Sequence, residues 1–287
     1  MKIEQIITVG CSFTAGHDSL ASGRAIRDEI VPYPDGTNWQ DFSKIETAWP
    51  DVLGKLLNLP VLNLGREGAS NDCFYIELQK WLNKDLRNWW PDWRTTYIKD
   101  NIKKFPTDKK TLVIIGVTSP YRQLIPTSNR EEEKILTTKY FFRNENESYV
   151  NLNPGNTTQT DYISKNKDSM FSMQAKSYIL QEEWYTLISA MQKLDSLKGL
   201  LSDRNFSYMF INMLGHTSSF FPYSESKNKQ YNFYYDWLKN NCFNGVTPII
   251  SYLQEAKQWS QYTDHPSIHG HKYIAQLVEN EIRKSLI

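Results

Sequence analysis

Apolar positions along this chain follow two rhythms. Short, nearly unbroken apolar runs occupy residues 3–9, 61–64, 111–116 and 206–214. Runs of this length bounded by turn residues predict buried strands. Between them, apolar residues recur at helical spacing. Residues 49–57 read as a helix broken by Pro60. A second helix, capped by Ser70 or Asn71, runs through Ile76, Leu78 and Leu82. Residues 88–106, with Trp89, Trp90 and Trp93, read as a further helical segment. Residues 174–198 predict a long amphipathic helix, and residues 268–285 a closing one. Strands alternating with helices imply an α/β fold, a three-layer sandwich around a central, mostly parallel sheet.

Three stretches break the rhythm. Residues 18–43, 125–172 and 216–247 are polar or irregular and read as long insertions in a single domain spanning 1–287. Loops of this length are usually functional or mobile. The sequence contains no internal repeat.

Charge adds an exclusion. Lys plus Arg number 33 against 32 Asp plus Glu, a formal net charge of +1. No basic excess would draw the chain onto nucleic acid. No apolar run approaches the roughly 20 residues of a membrane span, and the first apolar stretch is too short for a secretory leader. The three cysteines, Cys11, Cys73 and Cys242, form no C-x-x-C pair, which argues against a disulfide framework. A reducing, cytoplasmic setting is expected, with no membrane association.

In a parallel sheet, ligands bind beyond the carboxyl ends of the strands, so the residues after each strand carry the candidate chemistry. After the first come Gly10, Cys11, Ser12, Phe13, Thr14, Ala15 and Gly16. A serine in a strand-to-helix turn has an exposed hydroxyl near the positive end of the helix dipole. Cys11 is a rival nucleophile by position but is read as a small buried residue. After the second strand comes a stretch from Asn63 to Asp72 holding Gly65, Gly68 and Asn71, where a glycine N–H could face the same cleft. After the third come Thr118 and Ser119, two hydroxyl donors, with Arg122 close behind. Near the far end come Asp264, His265, Pro266, His269 and His271, where a base could reach Ser12. Pro266 and Gly270 interrupt any continuous helical ligand face, so no metal site is expected. No cofactor motif is present.

These four segments, in this order, resemble the SGNH (GDSL-like) hydrolase family. Gly10, Ser12, Phe13, Thr14 and Gly16 match its first block, with Cys11 in place of the usual Asp. Asn63 and Gly68 match the spacing of the second, Gly116 the third, and His265 with Pro266 the last. Thr118 stands where the family has an oxyanion Asn, and Tyr262 where it has the triad Asp. The variant pattern is also similar to SGNH-like proteins encoded by tailed bacteriophages, which would place the protein in an infected host cell.

The resemblance implies a flavodoxin-like fold and a serine esterase. Ser12 would be the nucleophile and His265 its base. Asp264 is adjacent to His265 and a candidate to orient it. Gly68, Thr118 and Ser119 would hold the oxyanion. Asn71 and Arg122 are candidate substrate-binding residues. The expected substrate is a small acyl ester, such as an O-acetyl group on a carbohydrate that the Trp-rich stretches could stack against. The competing expectation is an inactive SGNH-fold protein that binds a glycan or a protein partner through its long loops.

Overall fold

The computed structural model describes residues 2–16, 48–66, 69–84, 98, 100–127, 141–143, 148–152, 157–179, 183–214, 232–258, 265, 266 and 268–286. Four strands form a parallel sheet: β1 (Gln5–Val9), β2 (Val61–Asn63), β3 (Thr111–Val117) and a last strand, Ser207–Asn212. The sequence runs predicted all four to within a few residues. The order is β2-β1-β3 followed by Ser207–Asn212. These are the first four places of the flavodoxin-like order. A single parallel bridge, Phe210 to Cys242, marks the place of a fifth.

Strand residues point alternately to the two faces of the sheet, and both faces here are apolar. Ile6, Leu112, Ile114 and Ile211 face one layer; Ile7, Val9, Val113, Ile115 and Phe210 face the other. That explains why the strands read as unbroken apolar runs. On the first face lies α2 (Trp49–Leu57), with Pro50 in its first turn and Asn58 closing it in the left-handed conformation. On the opposite face lies α3 (Asn71–Asn83), which buries Phe74, Leu78 and Trp81.

The direction in which successive strands are added therefore reverses at β1. The β1-to-β2 connection runs over one face and the β2-to-β3 connection over the other. The crevice between β1 and β3 is a topological switch point, where open α/β sheets bind ligands.

After β3 the chain leaves the sheet. Strands β4 (Gln123–Thr127), β5 (Phe141–Arg143) and β6 (Ser148–Leu152) form a separate antiparallel sheet in the order β4-β6-β5. Helices α4 (Thr157–Lys165) and α5 (Met170–Ile179) follow. Ile125, Leu152, Tyr162, Ile163, Phe171 and Ala175 give this part a small core of its own. The stretch expected to be an irregular insertion over 125–172 thus contains ordered elements. β4 is an edge strand, so Pro126, which has no N–H to donate, is tolerated there.

The helix expected over 174–198 is two helices. α5 ends at Ile179, and α6 runs from Glu183 to Asp203. α6 packs on the α3 face through Leu187, Leu194, Leu197 and Leu201. The last sheet strand is β7 (Ser207–Asn212), followed by α7 (Asn232–Asn241), α8 (Ile249–Glu255) and α9 (Ile268–Leu286). α7 joins α3 and α6, while α8 and α9 complete the α2 layer. The expected loop at 18–43 lies outside the described residues. Of the one at 216–247, the described part contains α7.

Candidate active site

Ser12 opens α1 (Ser12–Ala15), a single turn directly after β1. Gly16 closes that turn with φ 82°, a left-handed conformation that favours glycine. The turn is tight because Gly10 follows β1. A Cβ there would lie 2.1 Å from the Thr14 hydroxyl, which only glycine avoids. Ser12 is only 6% exposed, so the hydroxyl expected to be exposed belongs to a largely buried residue.

Asn63 braces this turn from β2. Its amide donates to the Thr14 carbonyl at 2.7 Å, and its carbonyl oxygen accepts from the Gly65 N–H at 2.9 Å and from the Thr8 hydroxyl at 3.3 Å. Gly65 lets the loop after β2 lie directly on α1: a Cβ would come within 2.6 Å of the Ala15 nitrogen. The Arg66 N–H donates to the Gly10 carbonyl at 2.9 Å. The Arg66 guanidinium meets Glu77 of α3 at 2.7 Å, with side chains 11% and 2% exposed. A charge pair this deep holds the loop between β2 and α3 against its helix.

His265 reaches Ser12 from the other end of the chain. Its Nε2 lies 2.9 Å from the Ser12 Oγ, across a sequence separation of 253. Phe13 packs its ring edge-on against the imidazole, centroids 5.7 Å apart at an interplanar angle of 62°. His265 precedes α9, whose place is fixed by His271. That ring is buried, and its Nδ1 accepts the Trp49 N–H at 3.2 Å, tying α9 to α2. His269 is exposed. Among the described residues no group of three or more His, Cys, Asp or Glu side chains converges as a metal site.

Thr118 directly follows β3 and is fully buried. In the β1–β3 register Val9 stands beside Ile115, so Ser12 and Thr118 each lie three residues beyond a paired position. Asn71, at the start of α3, grips Thr118 by its backbone. The Asn71 Oδ1 accepts the Thr118 N–H at 3.1 Å, and its amide donates to the Thr118 carbonyl at 3.4 Å. Arg122 donates from Nη1 to the Thr118 hydroxyl oxygen at 3.2 Å. A hydroxyl that accepts from a guanidinium keeps its own proton to donate. The Ser119 hydroxyl accepts the Tyr121 N–H at 3.4 Å and so shapes the turn.

The structure thus brings Ser12, His265, Thr118, Asn71 and Arg122 to one edge of the sheet. Asn71 and Arg122, expected to bind substrate, direct polar groups at Thr118. Gly68 and Asp264 lie outside the described residues, as do Trp89, Trp90 and Trp93. Trp49, Trp81 and Trp237 are buried core residues. Cys11, also fully buried, packs with Phe13 and Trp49. The Asn71–Thr118 clamp was beyond sequence reasoning, because nothing local links two residues 47 apart.

No protein-family model and no curated protein matches the sequence. Among solved structures, the chain is similar to a lipolytic protein of the G-D-S-L family from Desulfitobacterium hafniense DCB-2, at 14% identity over 96% of this chain and 98% of that one, TM-score 0.39. It is also similar to a carbohydrate esterase whose active site displays divergent catalytic and non-catalytic binding functions, at 12% identity over 100% of this chain and 67% of that one, TM-score 0.45. A third is the acetyl xylan esterase AlAXEase, at 8% identity over 99% and 100%, TM-score 0.38.

Proposed function

We propose that the chain is a serine ester hydrolase acting on a small acyl ester. The observation that carries this reading is the 2.9 Å contact between the Ser12 hydroxyl and the His265 Nε2 at the carboxyl edge of the sheet. A nucleophile within hydrogen-bond reach of a base is the minimum unit of acyl transfer. With the proton on Nδ1, the imidazole accepts the Ser12 proton as Oγ attacks the ester carbonyl. Asp264 is the adjacent acid that could hold that tautomer.

The carbonyl oxygen gains negative charge as the tetrahedral intermediate forms. Three donors serve it in this reading: the Ser12 N–H, which as the first in α1 has no partner within the helix; the Gly68 N–H; and the Thr118 hydroxyl. Arg122 polarises that hydroxyl by donating to its oxygen. Protonated His265 then gives its proton to the leaving alcohol, and an acyl-Ser12 ester remains. Water, deprotonated by His265, releases the acid and restores Ser12. An O-acetyl group on a carbohydrate is the substrate class we favour.

The test is intact-mass analysis after exposure to a fluorophosphonate, with Ser12→Ala and His265→Ala beside the wild type. One covalent adduct on the wild type and none on either variant is the expected result. A folded wild type that takes up no adduct would overturn the assignment and leave a binding protein on a hydrolase-like scaffold.

A further inference from the structure

A second concavity lies on the α3 side of the crevice. It is a cleft of about 860 Å³ between α3, β4 and α6. Pockets of about 300–1,000 Å³ are the size that holds a drug-sized ligand, far more than an acetyl group needs. Asn71 lines it, and the same side chain grips the Thr118 backbone, so one residue separates the cleft from the candidate oxyanion donor.

The lining mixes the apolar Ile76, Leu124 and Leu200 with polar groups that are already organised. Lys193 of α6 bonds the Asp72 carboxylate at 2.8 Å and donates to the Gln123 side-chain amide oxygen at 2.7 Å. Those contacts use two of the ammonium's three donors. The other Asp72 oxygen accepts the Leu124 N–H at 3.3 Å, which fixes the start of β4 against α3. Tyr75 is 44% exposed, and its hydroxyl accepts from Gln79 at 3.1 Å, so the ring is held from its far end. Asp203 adds a second carboxylate at the end of α6.

These features choose a ligand class. Two carboxylates against one ammonium make the cleft net negative, which disfavours phosphates and uronates. A held aromatic ring beside fixed donors and acceptors suits a ring with apolar C–H faces and hydroxyl edges. We propose that this cleft is a subsite for a neutral saccharide chain, the carrier of the ester that Ser12 cleaves. The inference rests on the esterase reading for its purpose and on the cleft's own chemistry for its ligand.

Titration calorimetry on full-length Ser12→Ala, with xylotetraose, cellotetraose and tetragalacturonate as probes, tests it. At least one neutral tetramer is expected to bind, and tetragalacturonate is not. Adding Tyr75→Ala is expected to weaken the neutral tetramer by about tenfold, the scale of one lost stacking contact. Tyr75 is exposed, so this variant should fold, and Lys193→Met gives a second, independent loss. No binding by either neutral tetramer, binding untouched by both substitutions, or equal binding of tetragalacturonate overturns the subsite. Hydrolysis of p-nitrophenyl acetate by the wild type reports separately on Ser12. Saccharide binding lost in the Tyr75→Ala variant, with no turnover of that ester, would sink the esterase reading and leave the subsite standing.

Discussion

At the scale of single residues, Thr118 and Ser119 can be told apart. Both follow β3, but the Thr118 backbone is held by Asn71 and its hydroxyl is polarised by Arg122, whereas the Ser119 hydroxyl is spent on the turn. Removing an oxyanion donor costs about 10²–10³ in rate where measured. Thr118→Val is therefore expected to lower kcat by about that factor, with KM little changed. Ser119→Ala should leave kcat unaltered, and Arg122→Met should lower it by less than Thr118→Val does. Steady-state kinetics on p-nitrophenyl acetate checks all three. Equal losses at Thr118 and Ser119 would contradict the assignment. Asn63 makes a stability prediction of the same kind. Asn63→Ala removes the donor to the buried Thr14 carbonyl, at about 1–3 kcal/mol for the group left unsatisfied, readable in urea unfolding.

At the scale of elements, the sheet was legible and its attachments were not. β1, β2, β3 and β7 announced themselves because both sheet faces are buried, leaving no polar alternation to dilute the apolar runs. The residues that meet at the crevice were legible for the same reason: they follow those runs. β4, β5 and β6, no shorter than β1 and β2, escaped notice because they lie within a polar stretch and form no unbroken apolar run. The break between α5 and α6 escaped because apolar spacing continues across it. No local pattern indicated that Arg66 and Glu77 would pair in the interior. That pair yields the prediction at this scale. Glu77→Ala removes the carboxylate that faces the buried Arg66 guanidinium and should cost about 3–5 kcal/mol. Replacing both residues by Met and Leu should cost much less, and a double-mutant cycle in denaturant measures the difference.

At the scale of the whole molecule, the α7 layer gives the fold an alkaline limit. Burial pushes the Cys242 thiol from its ordinary 9.0 up to about 12. The Tyr234 phenol is raised as well, chiefly by burial and then by the neighbouring Cys242 and Tyr235. Below pH 9 the folded and unfolded chains both keep these protons, and stability is intact. Above it the unfolded chain releases them while the folded chain does not, so stability falls as pH rises toward about 12. The buried Tyr234 hydroxyl has no hydrogen-bond partner among the described residues. Tyr234→Phe should therefore be no less stable at neutral pH, and its melting temperature should fall less steeply above pH 10. A curve as steep as the wild type's would contradict this. The long span between Ser12 and His265 has a consequence for synthesis. As the chain emerges from a ribosome, each central strand after β1 can add to an open edge, first β2, then β3, then β7. In the proposed reading, the base is made 253 residues after the nucleophile. While that stretch is being synthesised the polypeptide carries Ser12 with no His265 to activate it, and it is harmless to the esters around it until α9 docks.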